Sequence, residues 1–441
     1  MPTPDALLYA RHIETRAEQV DRTLNELGYD RLLIHSGRAE VRLFDDQAPP
    51  FRAHGPFVAW VPQPFAEDCL LELRVGHKPR LWFCQPRDFW HVSPAPPADW
   101  WADPLDVQLV SDADGWRECF EKSDATAVLG RERDLGSVLG GADLNPVKLI
   151  ARLDEIRTRK TAWERDCIAQ ANHRAARAHL AAAQAFESGA SELEIHLAYV
   201  AAAGQDQDQL PYNNIVALNE HGSVLHYQHR SPERKKRLRS FLIDAGADHH
   251  GYAADITRTW TLPEHSEFDD LIESVDRLQQ QLCEGMKPGV SYVELHRQAH
   301  LGIASILEQA GLVRMAPDEM VETGVSSHFL PHGLGHFIGV QVHDVAGKVS
   351  PAGEPRPSPE AFPFLRLTRQ LEPGNVLTVE PGLYFIPMLL EKLRASNFSG
   401  CVDWAGIERL LPFGGIRVED NVLVSEKEPV NFTRQAFTNL G

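Results

Sequence analysis

Hydrophobic positions along the chain follow two rhythms, one of helices and one of short strands. Asp5–Gly28 has helical spacing with many charges, and Tyr29–His35 then reads as a strand. Phe57–Pro62, Pro79–Cys84 and Ala125–Gly130 are further apolar, strand-like runs. Ser93–Pro104 is a loop rich in proline and tryptophan. Arg131–Gly141, with Gly136, Gly140 and Gly141, fits no phosphate-loop spacing and reads as another loop. Strands alternating with helices make residues 1 to about 155 a small α/β domain.

A long helix starts at Thr161, where Thr161-Ala162-Trp163-Glu164 matches a capping box, and runs through an alanine-rich stretch to about Gly189. The segment that follows has an echo. Gly189-Ala190-Ser191-Glu192-Leu193-Glu194 resembles Gly289-Val290-Ser291-Tyr292-Val293-Glu294, each a glycine that ends one helix and a Ser-x-x-Glu box that starts the next. Each copy leads into a helix and then into strands. Either this is the coincidence of a common capping pattern, or it marks a duplicated unit of two helices plus antiparallel strands, its two sheets curved around one site. Lys348–Pro363, rich in Gly, Pro and Lys, reads as an exposed loop in the second half.

The chain is centred on Phe241–Trp260, FLIDAGADHHGYAADITRTW. Its two ends are strand-like, and the residues between them tolerate turns. Pairing as a hairpin about His249-His250 would put Asp244 opposite Asp255, with both side chains on one face. Opposed carboxylates repel, and a divalent cation between them reverses the sign. The plainer alternative makes one a turn residue and the other a solvated strand position.

Three later segments favour the cation. Pro331–Asp344, PHGLGHFIGVQVHD, carries His332, His336 and His343 among glycines that let the backbone come close to a neighbour. Asn375–Gly382, NVLTVEPG, puts Glu380 at the end of an apolar strand, where a carboxylate needs a partner. Gly414–Asp420, GGIRVED, sends Arg417 and Glu419 out of one strand face. Four carboxylates and one imidazole are too hard and too anionic for structural zinc. They suit two divalent ions, manganese or cobalt before zinc, that activate a shared water while polarising a carbonyl. The remaining histidines would position substrate and stabilise developing charge.

Composition narrows the setting. At 441 residues the chain has room for two or three domains, and no apolar run approaches the ~20 residues of a membrane span. A net charge of -18 argues against nucleic acid or an anionic membrane as main partner. The six cysteines are scattered without a CxxC pair, and the first residues lack the pattern of a signal peptide. Both point to a cytoplasmic protein.

The order and spacing of Asp244, Asp255, His336, Glu380 and Glu419 resemble the five metal ligands of the pita-bread metallopeptidases. The leading domain is similar to that of the prolidase–aminopeptidase P branch. Leu210–Tyr227, GYAADITRTW, PHGLGHFIGVQVHDVAG and PFGGIRVEDNV resemble the bacterial prolidases within it. The resemblance implies an α+β chain, with a creatinase-like α/β domain over 1–158 and a pita-bread catalytic domain over 159–441. It implies a dinuclear-metal hydrolase that cleaves Xaa-Pro dipeptides with a hydroxide bridging the metals, and a homodimer. Asp244 would hold one metal, His336 and Glu380 the other, and Asp255 and Glu419 would bridge. Glu380 would also shuttle the proton to the leaving nitrogen.

On the same grounds His226 and His332 would line the pocket, with Tyr212 as its tyrosine. His343 and Arg366 would bind the dipeptide's carboxylate, with Arg369 a rival to Arg366, and Arg417 would brace the site. Asp45, in Leu43-Phe44-Asp45-Asp46, would meet the free amine from a loop that closes the pocket. Hydrolysis of organophosphorus triesters and fluoridates is an implied side activity. The alternatives are an aminopeptidase P acting on longer Xaa-Pro peptides and a non-catalytic binding module of the same fold.

Overall fold

Helix α1 (Pro4–Leu27) buries Tyr9, Ile13, Val20 and Leu24, a stripe at helical spacing. It belongs to the first of two compact units of this computed structural model, Met1–Asp166 with Pro351–Gly353. The second unit is Cys167–Ser350 with Glu354–Gly441. The structure describes residues 4–112, 115–116, 125–135, 141–262, 266–350 and 352–441. Gly136, Gly140 and Cys119 therefore lie outside the described residues.

The first unit holds a mixed sheet of β1 (Arg31–His35), β2 (Leu70–Arg74), β3 (Arg80–Cys84), β4 (Asp106–Val110), β5 (Thr126–Leu129) and β6 (Asp143–Leu144), in the order β4-β3-β2-β1-β5-β6. Leu33, Leu70, Val128, Trp116 and Leu135 form the core against it. Phe57–Pro62 is not a strand. Pro56 sits in the first turn of a short helix, α2 (Gly55–Val58), where its missing N–H costs nothing and its fixed φ suits the helix. Strands β2 and β4 carry no clear period-2 signal, the first buried almost throughout and the second half-exposed. A second short helix is α3 (Glu132–Leu135), and α4 (Val147–Thr158) follows.

One buried ion group ties this unit together. Arg16 donates to the carbonyls of Ile156 (2.8 Å) and Arg159 (3.0 Å) and to Glu164. Glu164 in turn accepts from the Thr161 backbone N–H at 2.7 Å, closing the expected capping box of α5 (Ala162–Glu187). His12 stands beside it, 2.8 Å from the Ala59 carbonyl and 2.9 Å from the Thr161 hydroxyl.

In the second unit the echo is structural. Helices α5 and α6 (Glu192–Ala203) cover β7 (Ile215–Leu218), β8 (Ser240–Asp244) and β11 (Thr257–Thr261), which pair in the order β11-β8-β7. Helices α7 (Ser266–Glu284) and α8 (Tyr292–Gln309) cover β12 (Val376–Val379) and β15 (Asp420–Leu423), with β16 (Val430–Asn431) at the edge. Gly189 and Gly289 adopt the same left-handed conformation, φ +82 and +85. The second capping box does not form. Ser191 and Glu194 cap each other, but Ser291 makes no side-chain cap. There Tyr292 N–H donates to the Arg369 carbonyl at 3.0 Å, and Glu294 N–H, which the hydroxyl would cap, donates to the Ser291 carbonyl at 3.1 Å.

The hairpin register differs from the expected one by two residues. Thr257, not Asp255, faces Asp244, and the ladder continues through β9 (Asp248–His249) and β10 (Tyr252–Ala253). The turn lies at His250-Gly251, both with positive φ (53 and 87), the dihedral signature that makes glycine the favoured second residue. A two-residue slip preserves the face, so Asp244 and Asp255 still leave the same side. Elsewhere in this unit lie β13 (Gly382–Tyr384) paired with β14 (Gly415–Arg417), and α9 (Pro317–Glu322), α10 (Pro387–Arg394), α11 (Trp404–Leu410) and α12 (Phe432–Leu440).

Candidate metal centre

Tyr212 joins the two hairpin carboxylates. Its hydroxyl lies 2.8 Å from Oδ1 of Asp244 and 2.5 Å from Oδ1 of Asp255. The ring can lie there because residue 246 is glycine: a Cβ would come within 2.7 Å of the Tyr212 ring and 2.1 Å of the Ala254 carbonyl oxygen. On the other side Arg417 donates from Nη2 to Oδ2 of Asp244 at 2.7 Å.

His336 arrives on a segment that runs alongside β12. Thr378 N–H donates to the His336 carbonyl at 2.9 Å, and Glu380 N–H to the Leu334 carbonyl at 2.8 Å. A Cβ at residue 335 would strike the Thr378 carbonyl oxygen at 2.2 Å, so Gly335 allows this approach. Nδ1 of His336 lies 2.9 Å from the Phe337 carbonyl and donates to it, so Nε2 is turned to the carboxylates. Nε2 is 3.5 Å from Oδ2 of Asp255 and 3.9 Å from Oε1 of Glu380. Glu419 completes the group, its Oε2 accepting from the Thr257 hydroxyl at 2.7 Å.

Asp255, His336 and Glu419, all buried, each place a ligand atom within 4.8 Å of the others. Their charges press on one another. Burial, together with Asp255, Glu380 and Asp244, pushes Glu419 well above the usual carboxylate range. Burial also raises Asp244, with Asp255 adding to it and Arg417 opposing. Glu380 rises to about 7, mainly through burial, against the pull of His336 and Arg417. Burial works the same way on Asp255, but His336 overcomes it and holds that group below its ordinary value. Four crowded carboxylates with one guanidinium and one imidazole nitrogen fit a hard divalent cation by donor chemistry.

A relay leads away from the cluster. Nη1 of Arg417 donates to the Tyr384 hydroxyl (2.8 Å), which lies 2.8 Å from Nε2 of His332, and Nδ1 of His332 lies 2.8 Å from the Gly333 carbonyl. Burial, then the Arg417 charge, lowers His332 to about 3, so its ring is neutral. His343 meets the His336 ring edge-on at 4.3 Å, and Arg366 is near enough to disfavour its protonation. Arg366 is exposed, whereas Arg369 is buried, 3.5 Å from the Ala346 carbonyl and over the Phe337 ring. His226 is exposed on a loop held from below by Glu192. That carboxylate accepts from Leu218 N–H (3.0 Å), His221 Nδ1 (2.6 Å), the Tyr227 hydroxyl (2.8 Å) and Ser231 N–H (2.8 Å).

Asp45 lies in the first unit, exposed, its Oδ1 accepting from the N–H groups of Asp46 (2.8 Å) and Gln47 (3.2 Å). Tyr384, Thr257 and Glu192 went unmarked in the sequence. Only Glu192 carried a local signal, an acid at the start of a helix among residues that otherwise bury.

The site and the doubled helix-and-sheet unit are those of a metallopeptidase. Residues 166–426 match the model of metallopeptidase family M24, and the chain belongs to that family. Residues 7–154 match the N-terminal domain of Xaa-Pro dipeptidase. The chain is 46% identical over 437 residues to the Xaa-Pro dipeptidase of Marinobacter nauticus, covering 99% of this chain and 100% of that one. It is 42% identical over 435 residues to the Xaa-Pro dipeptidase of Xanthomonas campestris pv. campestris, covering 98% of each. Aminopeptidase P from E. coli shares the fold, with a TM-score of 0.74 at 22% identity over 97% of this chain and 95% of that one. The α+β architecture and the pita-bread catalytic fold are thus as the sequence predicted.

Proposed function

We propose that this protein is an Xaa-Pro dipeptidase, a metallo-dipeptidase that hydrolyses the imide bond before a C-terminal proline. The observation that carries the reading is the buried Asp255–His336–Glu419 group with Glu380 and Asp244 around it. Whole-length similarity to Xaa-Pro dipeptidases supports a dipeptide substrate over the longer peptides of an aminopeptidase P. The reading assigns 1–158 to the N-terminal domain and 159–441 to the catalytic domain.

Asp244, Asp255, His336, Glu380 and Glu419 would hold two divalent ions, manganese first, with cobalt or zinc as alternatives. Such ions lower the pKa of water and polarise a carbonyl when bound. The chain's own residues do the rest. Glu380, just past β12 and 3.9 Å from His336 Nε2, would take a proton and return it to the leaving imino nitrogen. His343 and Arg366 would supply donors for the proline carboxylate, and His226 would line the same pocket. His332 contributes by exchanging its Nδ1 bond to the Gly333 carbonyl for one to substrate. Tyr212 and Arg417 hold Asp244, each through one of its oxygens.

The reading extends to a cytoplasmic homodimer in which Asp45 meets the substrate amine. In support of the compartment, Cys69, Cys84, Cys283 and Cys401 are free thiols. The deciding experiment measures proline release from an Xaa-Pro dipeptide and a matching Xaa-Pro-Yaa tripeptide, in metal-stripped protein with and without manganese. Manganese-dependent cleavage of the dipeptide alone is expected. Tripeptide cleavage would move the assignment to an aminopeptidase P, and a chain that takes up no metal would sink the centre. A phosphotriester assay on the same samples tests the implied side activity.

A further inference from the structure

Asp255 sits where one sheet gives way to another. Within the hairpin, Ala245 N–H donates to the Ile256 carbonyl and Ala254 N–H to the Ala247 carbonyl, so the N–H and C=O of Asp255 point outward from that ladder. On the outer side Thr257 bridges Glu419, and Glu419 N–H donates to the Thr257 carbonyl at 3.1 Å. Two residues after Glu419 and two before Thr257, Asn421 faces Asp255 in the same register. There β15 pairs with β12, and Asn421 N–H goes to the Thr433 hydroxyl at 2.9 Å.

The Asn421 side chain takes over the ladder. Its Oδ1 accepts from Asp255 N–H at 3.0 Å, and its Nδ2 donates to the Asp255 carbonyl at 2.6 Å. The amide is itself fixed. Asn172, on α5, donates from Nδ2 to the same Oδ1 at 3.0 Å and accepts at its own Oδ1 from the Thr433 hydroxyl at 2.6 Å. Asn421, Asn172 and Thr433 are fully buried, and together they close a ring of hydrogen bonds. The reciprocal contact runs the other way: the hydroxyl of Thr257, two residues beyond Asp255, holds the carboxylate of Glu419, two residues before Asn421.

We propose that Asn421, seated on Asn172 and Thr433, is a positioning residue that sets Asp255 against Glu419 and so sets the centre's affinity for metal. The inference rests on the metal reading above. A buried amide that only filled space would need neither both backbone groups of a ligand residue nor two polar supports of its own. Groups beyond the ligands that orient them govern how tightly a site binds. By this account the C-terminal helix α12, through Thr433 in its first turn, belongs to the metal centre without touching it.

The test uses the full chain and manganese alone, with affinity read by calorimetry and the unfolding midpoint of the metal-free protein read in parallel. Asn421→Asp keeps the shape and the acceptor but sets an oxygen against the Asp255 carbonyl. It should weaken manganese binding by about 10- to 100-fold. Excess manganese should restore most of kcat with KM unchanged. Thr433→Val should weaken binding in the same direction, and Thr433→Ser should restore it. Variants that lower the metal-free midpoint while binding manganese as wild type does would make the network structural only and overturn the proposal. If Asn421→Asp fails to fold, the Thr433 pair decides alone. A wild-type chain that takes up no manganese would overturn the metal reading and this inference with it, whereas wild-type uptake with unchanged variants overturns the inference alone.

Discussion

Arg417 holds Asp244 by a hydrogen bond of 2.7 Å from Nη2 to Oδ2, while its Nη1 donates to Tyr384 and its Nε to the Thr257 hydroxyl. One guanidinium thus spans a hairpin carboxylate, the His332 relay and the residue that holds Glu419. Lysine keeps the charge but cannot reach three partners in one plane. Arg417→Lys should lower kcat by about 10- to 100-fold. Bound metal should also fall, read by elemental analysis of the same samples. Full activity with wild-type metal content would remove Arg417 from the site.

Asp255 contributes an oxygen to the tightest group of donors, and amide substitution removes its charge while keeping its shape. Asp255→Asn should abolish proline release and reduce the metal bound per chain, with far-ultraviolet circular dichroism unchanged. Retained turnover would contradict the ligand assignment.

Gly246 is required by space and not by conformation. A methyl group there would meet the Tyr212 ring and the Ala254 carbonyl oxygen. Gly246→Ala should destabilise the chain by about 1–3 kcal/mol. It should also displace Tyr212 from Asp244 and Asp255, so activity falls further than stability predicts. A thermal melt beside an activity assay separates the two effects. Wild-type behaviour in both would mean the hairpin can shift to admit the methyl.

Stability of the first unit should depend on pH through Glu164 and His12. Burial would raise Glu164, but Arg16, His12 and Lys160 bring it from 4.5 to about 2. The folded state therefore binds its proton less readily than the unfolded one. Its contribution is complete above pH 4.5 and is lost as pH falls toward 2, on the order of 3 kcal/mol. His12 is lowered from 6.5 to about 4, chiefly by burial, so its contribution is complete above 6.5 and is lost on the way down to about 4. Both act in the same direction. Unfolding followed from pH 7 to 3 should show stability falling throughout, and Glu164→Gln should flatten the lower part of that slope. Leaving Arg16 buried without its partner should cost about 3–5 kcal/mol at neutral pH.

How much of this was legible in the sequence depended on range. Asp244 and Asp255 share a face because the strand period is two, and a slip of two residues leaves that intact. Their register is not legible in the sequence, because either pair of residues at the tip reads as a turn, and only the positive φ of His250 and Gly251 decides between them. The Ser191 and Ser291 boxes look alike in sequence, yet at the second Glu294 N–H goes to the Ser291 carbonyl and not to its hydroxyl, a choice that no local pattern announces. Glu380 stood out as a carboxylate ending an apolar strand. Tyr384 and Asn421 did not, since their partners lie far along the chain: Arg417 and His332 for the tyrosine, Asp255 and Asn172 for the asparagine.

The four bonds that converge on Glu192 come from both ends of the segment that carries His226. Such a segment will behave unlike an ordinary surface loop. Its exposed side chains other than His226 can vary, while the amide protons of Leu218 and Ser231, bound to a buried carboxylate, exchange with solvent only when the first turn of α6 opens. In a deuterium-labelling experiment the loop should therefore take up label with the helix beneath it, and not with the solvent above.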